Sequence, residues 1–199
     1  MKKVIFDTDI GIDDAMALLF LHHAPDVDLI AITTGFGNAS VSDTTRNALY
    51  IKELFNMSAA VYAGAAMPVG SALGEGYADF VHGKNGLGDI PLTTPMCEAE
   101  ATPAAEAIVE LVRANPHELS IVAVGRMTNL AMALALDPEL PSLIKELIVM
   151  GGVFGYNGHR GNVSPVAEAN IAGDPLAADR VFTSGIPTTI VGLDVTAET

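Results

Sequence analysis

Apolar runs in this chain alternate between two lengths and two textures, and that alternation constrains the fold more than any other feature. Short runs read as strands at Lys3–Asp7, Val27–Thr34, Ala60–Ala63, Leu119–Val124, Leu143–Met150 and Thr188–Leu193. Longer segments between them read as helices. One is capped by Asp13 and runs to about His23; a second, Ser42 to Asn56, carries Ala48, Leu49, Ile51 and Leu54 as its apolar positions. Others span Pro103 to Ala114, Asn129 to Leu136, and Asp174 to about Thr183 with Pro175 at the first helical position. The order predicts an α/β fold: a mostly parallel open sheet flanked by helices, with a Rossmann-like core. With 199 residues and no repeat, low-complexity tract or linker, residues 1–199 read as a single α/β domain.

Two long connections interrupt the rhythm, Gly64 to Thr102 and Gly151 to Gly173. Connections of that length usually serve function. The unusual polar residues also follow predicted strands: Asp7 and Asp9, then Asn38, then Val124–Gly125, then the loop after Met150. In an open α/β sheet such positions gather at the carboxyl ends of the strands, where ligands bind. One site built from several loops is the simplest reading.

The stretch DTDIGIDD, Asp7 to Asp14, places four carboxylates within eight residues directly after an apolar strand. Helix capping offsets their repulsion by only about 0.3–1 kcal/mol per acid. A bound cation offsets far more. Carboxylates without neighbouring Cys or His favour Ca²⁺ or Mg²⁺ over zinc. An EF-hand is excluded, since Leu18 stands where its twelfth-position glutamate belongs.

Composition narrows the partners. The net charge is −14, from 10 basic and 24 acidic residues, which disfavours nucleic acid because phosphate binding needs clustered cations. Mean hydropathy is high at +0.38. Even so, the longest apolar runs, such as Ala15 to Leu21, fall well short of the roughly 20 residues of a membrane span. Cys97 is the only cysteine, so no intrachain disulfide forms. The chain begins directly with a strand-like run, leaving no room for a signal peptide, and the expectation is a cytoplasmic protein.

VIFDTDIGIDDAMALL resembles the N-terminal signature of the inosine–uridine-preferring nucleoside hydrolases, an apolar strand followed by D-x-D-x-G-x-D-D-A. Six further segments resemble the family in its own order: ITTGFGN (Ile32–Asn38), VHGKNGLG (Val81–Gly88), VAVGRMTNLAMAL (Val122–Leu134), ELIVMGG (Glu146–Gly152), GNVSPVAEANIAGDPLAA (Gly161–Ala178) and VGLDVT (Val191–Thr196). The resemblance covers essentially the whole chain. It implies Ca²⁺-dependent hydrolysis of the N-glycosidic bond of a ribonucleoside, giving free base and ribose. Carried over by position, Asp9, Asp14 and the main-chain carbonyl of Val124 would hold calcium, and Asp9 would also serve as general base. Asn38 would orient the attacking water. Asp13 and Asn170 would bind ribose hydroxyls, Asn162 and Glu168 the 5′ end, and His82 would border the base pocket. Asp7 would support the site from beneath. A homo-oligomer, dimer or tetramer, is also implied.

Family members continue past the point where this sequence stops, and that continuation carries a further calcium-ligating aspartate and base-binding residues. The chain therefore reads as the N-terminal two-thirds of the family fold, with activity that requires the remainder. Two alternatives compete. A haloacid-dehalogenase-like phosphatase also uses D-x-D after its first strand, with a later G-D-x-x-x-x-D like Gly173–Asp179, but it leaves Asp13 and Asp14 unexplained. A metal- and ribose-binding fragment without catalysis is the other.

Overall fold

The computed structural model describes residues 1–70 and 76–198. Six strands form where short apolar runs fit a pleated, covered surface: β1 (Lys2–Thr8), β2 (Val27–Thr34), β3 (Ala60–Ala63), β4 (Leu119–Ala123), β5 (Glu146–Met150) and β6 (Thr188–Val191). They make one all-parallel sheet in the order β3-β2-β1-β4-β5-β6. The chain builds leftward from β1 to β3, then crosses back to place β4 on the other side of β1. That reversal opens a crevice at the carboxyl ends of β1 and β4.

Side-chain alternation in the strands feeds two cores. Val4 and Phe6 of β1 pack with Leu18 of α1 (Ile12–His23) and Ala48, Leu49 and Ile51 of α2 (Val41–Leu54) on one face. Ile5, between them, points to the other face. There it joins Ile108 and Val112 of α4 (Ala104–Ala114), Leu130 of α5 (Thr128–Leu136) and Val181 of α8 (Pro175–Phe182). In α4 the buried positions Ala104, Ala105, Ala107, Ile108 and Val112 recur at three- and four-residue steps, forming one apolar stripe. Asp174 caps α8, accepting from Ala177 N at 3.1 Å, with Pro175 opening the helix as the sequence suggests.

The predicted elements are recovered with shifted ends. Gly11, not Asp13, caps α1, because the Asp14 carboxylate reaches back to Gly11 N at 2.8 Å and starts the helix at Ile12. The predicted strand from Leu143 begins only at Glu146. Pro141 opens a short helix, α6 (Leu140–Leu143), at whose end the Leu143 carbonyl accepts from His117 N. Leu193 likewise opens α9 (Leu193–Thr196) instead of ending β6. The long connections carry their own short elements: α3 (Asp79–His82) in the first, and a 3₁₀ turn (Tyr156–Gly158) and α7 (Ala169–Gly173) in the second. Residues 71–75 of the first connection lie outside the described residues.

Candidate active site

The crevice fills with acids and amides because three strand-end loops meet there. Asp9, just past β1, is 2% exposed, and its Oδ2 accepts from Asn38 N at 2.7 Å. Its Oδ1 is buried without a hydrogen-bond partner among the described residues. That oxygen faces the backbone at Gly125, where a Cβ would stand 2.6 Å away, so glycine there lets the loop after β4 close over the carboxylate. Asp14 is held from three sides: Thr8 Oγ1 at 2.8 Å, Gly11 N at 2.8 Å and Asn38 Nδ2 at 2.8 Å. Asn38 therefore ties the two acids together, one through its backbone and one through its side chain.

The four acids of the opening motif do not converge. Asp7 projects to the opposite face of β1, where Thr33 Oγ1 (2.6 Å) and Asn129 Nδ2 (2.9 Å) saturate its Oδ1 beneath the crevice. Asp13, next to Asp14 on α1, points about 100° away around the helix and is 83% exposed, 3.8 Å from His82 Nδ1. His82 is buried at the end of α3 and accepts from Ile12 N at 3.3 Å, which docks the first long connection onto α1. Among the described residues no three His, Cys, Asp or Glu side chains form a metal-holding group.

The second long connection forms the other wall. Asn170, in α7, donates through Nδ2 to the carbonyls of Val124 (2.8 Å) and Met150 (3.1 Å). Glu168 caps α7: its carboxylate accepts from Asn170 N, Ile171 N and, across the loop, Gly152 N at 2.8 Å. Asn162 Oδ1 accepts from Ala169 N at 2.9 Å. Of the predicted residues on this side only Asn170 meets Val124; Glu168 and Asn162 gather at the start of α7, and the polar groups of all three are engaged with the backbone.

Burial dominates the electrostatics. It raises Asp7 and Asp14 to about 6, Asp14 with help from the charge of Asp13, while hydrogen bonds to each hold the rise in check. Asp9 is raised well above the usual carboxylate range by burial and then by Asp14, offset by Asn38 N–H and by Arg126. Sequence reasoning missed Arg126, whose guanidinium lies over the Phe36 ring at 4.5 Å. It lies close enough to Asp9 and Asp174 to feel both charges. Thr8 and Asn129 were missed as well, although both sit inside segments with a recognised pattern, DTD and MTN.

A doubly wound parallel sheet with buried carboxylates at its switch point places the chain among α/β proteins whose ligand site is built from strand-end loops. Relatives narrow that class. The family described as inosine-uridine preferring nucleoside hydrolase matches residues 4–199, and the chain belongs to it. Uridine nucleosidase 1 of Arabidopsis thaliana is 44% identical over 198 residues, 99% of this chain and 58% of the relative. The pyrimidine-specific ribonucleoside hydrolase RihB of Escherichia coli (strain SE11) is 37% identical over 199 residues, 100% of this chain and 61% of its own. Among solved structures, the plant nucleoside hydrolase PpNRh1 superposes with a TM-score of 0.95 at 42% identity, covering 100% of this chain and 62% of that one. The purine-preferring ribonucleoside hydrolase from Gardnerella vaginalis gives 0.94 at 38% identity, covering 100% and 63%. The chain thus spans about three-fifths of the length of these relatives. A family match over residues 4–199 leaves no support for the phosphatase alternative. No helix among the described residues is long and apolar enough to cross a membrane.

Proposed function

We propose that this chain provides the metal-binding and base-catalytic part of a ribonucleoside hydrolase, cleaving the N-glycosidic bond to free base and ribose. The observation that carries the reading is the unpartnered Asp9 Oδ1. A buried carboxylate oxygen without a donor costs free energy unless something positive meets it. Hard oxygen donors suit Ca²⁺, and Asp9, Asp14 and the Val124 carbonyl would hold it, with water and substrate hydroxyls completing the shell. When bound, such an ion lowers the pKa of a water and fixes the ribose diol beside it.

The remaining work falls to side chains. Asp9, its basicity raised by burial and by Asp14, would take a proton from water. Asn38 fixes both acids, so that base and water keep their alignment. The bond breaks toward an oxocarbenium-like transition state, which nearby carboxylates stabilise. Asp13 and Asn170 would bind ribose hydroxyls, Asn162 and Glu168 the 5′ end, and His82 the base side. Uridine heads the substrate panel because the Arabidopsis uridine nucleosidase is 44% identical to this chain, and purine nucleosides stay in it because the purine-preferring Gardnerella enzyme is 38% identical.

The test is ribose release, by a reducing-sugar assay, from uridine, cytidine, inosine and adenosine with and without calcium. Calcium-dependent release that disappears in Asp9→Asn supports the reading. Release that ignores calcium, or survives Asp9→Asn, overturns it.

A further inference from the structure

Arg126 has no place in the chemistry above, yet it stands where the two walls of the site meet. It follows Gly125 in the loop between β4 and α5. One face of its guanidinium stacks on Phe36, which is 1% exposed and fixed at both ends: Gly35 N donates to Thr8 O at 2.9 Å and Phe36 N to Ala65 O at 3.0 Å. Two residues on, the same loop delivers Asn38 to Asp9 and Asp14. On its other side the Arg126 side chain lies against Gly173, so closely that any Cβ there would run into Nε. Gly173 ends α7, three residues after Asn170, whose amide meets the Val124 carbonyl.

Among the described residues the guanidinium donates no hydrogen bond and forms no ion pair. Nearby Asp174 is occupied by Thr128 Oγ1 (2.7 Å), Val69 N (2.9 Å) and Ala177 N. Packing between the Phe36 ring and the backbone at Gly173 therefore holds Arg126, and a planar guanidinium is what lysine lacks.

We infer that Arg126 is a positioning residue, a planar wedge between Phe36 and Gly173 that sets the spacing between the Asn38 loop and the Asn170 helix. This rests on the hydrolase reading for its catalytic consequence, not for its structural one. The wedge predicts that Arg126→Lys, which keeps the charge, and Gly173→Ala, which keeps Arg126 but displaces it, share one phenotype. Each lowers kcat by about 10- to 100-fold with KM little changed, the cost of a misplacement of roughly 1 Å. Each also speeds amide exchange at residues 35–38 by at least about 10-fold.

Arg113→Met is the control. It breaks the Arg113 pair with Asp137 (2.6 and 2.8 Å), far from the crevice, and is expected to lower Tm while leaving kcat and the exchange of residues 35–38 alone. The inference is overturned if both wedge variants keep kcat within twofold of the wild type, or if Arg113→Met loses as much kcat at a matched Tm. Should the wild-type chain neither bind calcium by titration calorimetry nor release ribose, the proposal that this chain alone holds the metal and the base fails separately. Amide exchange at residues 35–38 then decides the wedge, and unchanged exchange in both variants overturns it.

Discussion

The two walls of the crevice treat their polar groups in opposite ways. On the β1 side, Asp9 keeps one carboxylate oxygen buried and unspent. On the α7 side, Glu168 is equally buried, at 3%, but its two oxygens collect three backbone N–H groups. One acid keeps an oxygen without a donor among the described residues, and the other holds the loop that carries Asn170 through both of its oxygens. Burial alone therefore does not mark a functional carboxylate. What remains unsatisfied after burial does.

Asp9→Asn breaks this contrast most sharply. Turnover should fall by at least about 10³-fold, the usual scale for removing a positioned base that also orders the reactant. Stability without calcium should not fall, because the amide keeps an oxygen for Asn38 N and removes a buried charge. Glu168→Ala should do the reverse. Three backbone donors lose their acceptor, and Tm drops by the equivalent of about 2 kcal/mol, while turnover falls less than for Asp9→Asn. Parallel thermal melts and ribose-release rates check both. A Tm loss in Asp9→Asn as large as that in Glu168→Ala would dissolve the distinction.

How far the sequence foretold this contrast depends on what each residue's partners are. The sheet was legible because strand and helix periodicities are local, and all six strands lie where the apolar runs place them. Their ends were less so: the Leu143 boundary depends on Pro141 and a carbonyl bond to His117, and the α1 cap on a carboxylate that reaches back from Asp14. The site was legible as a cluster of acids after one strand. The resemblance already puts Asp7 beneath the site, but it was not legible that Asp13 faces outward while Asp14, its neighbour in sequence, turns into the crevice. Glu168 illustrates the limit. The sequence admits both a ligand contact and a helix cap, and only the three-dimensional loop brings Gly152 N to it. Arg126 lay inside a recognised segment, but its significance comes from Phe36 and Gly173, neither of them near it in sequence.

The buried acids also make stability depend on pH with an unusual sign. Asp7 and Asp14 titrate near 6 in the folded chain against about 4 when unfolded, and Asp9 is shifted the same way. Between pH 4 and 6 the folded state holds more protons, so stability falls as pH rises through that window and stays low above it. Each shift of about two units is worth on the order of 3 kcal/mol. Asp137 and Asp194 are shifted downward, by Arg113 and by backbone N–H groups of the 154–156 turn respectively, so they weaken the fold only below about pH 4. Metal-free Tm should therefore rise when the pH is lowered from 7 to 5. Calcium should raise Tm at pH 7 and do little at pH 5, where it competes with protons for Asp9 and Asp14. A metal-free Tm that falls steadily from pH 7 to 5 would show that the acids are not carried at such a cost.

The smallest effect belongs to Asn162, at the exposed rim of the second wall. Its single bond to Ala169 N supports the start of α7 without any burial to amplify it. Asn162→Ala should lower stability by only about 0.5–1 kcal/mol. If the side chain serves the loop alone, KM for uridine stays put and kcat follows the small loss of order. If it also reaches the 5′ hydroxyl, KM rises several-fold, while 5′-deoxyuridine, which lacks that hydroxyl, is handled equally by variant and wild type. That substrate pair separates a rim residue that binds ligand from one that only braces the helix.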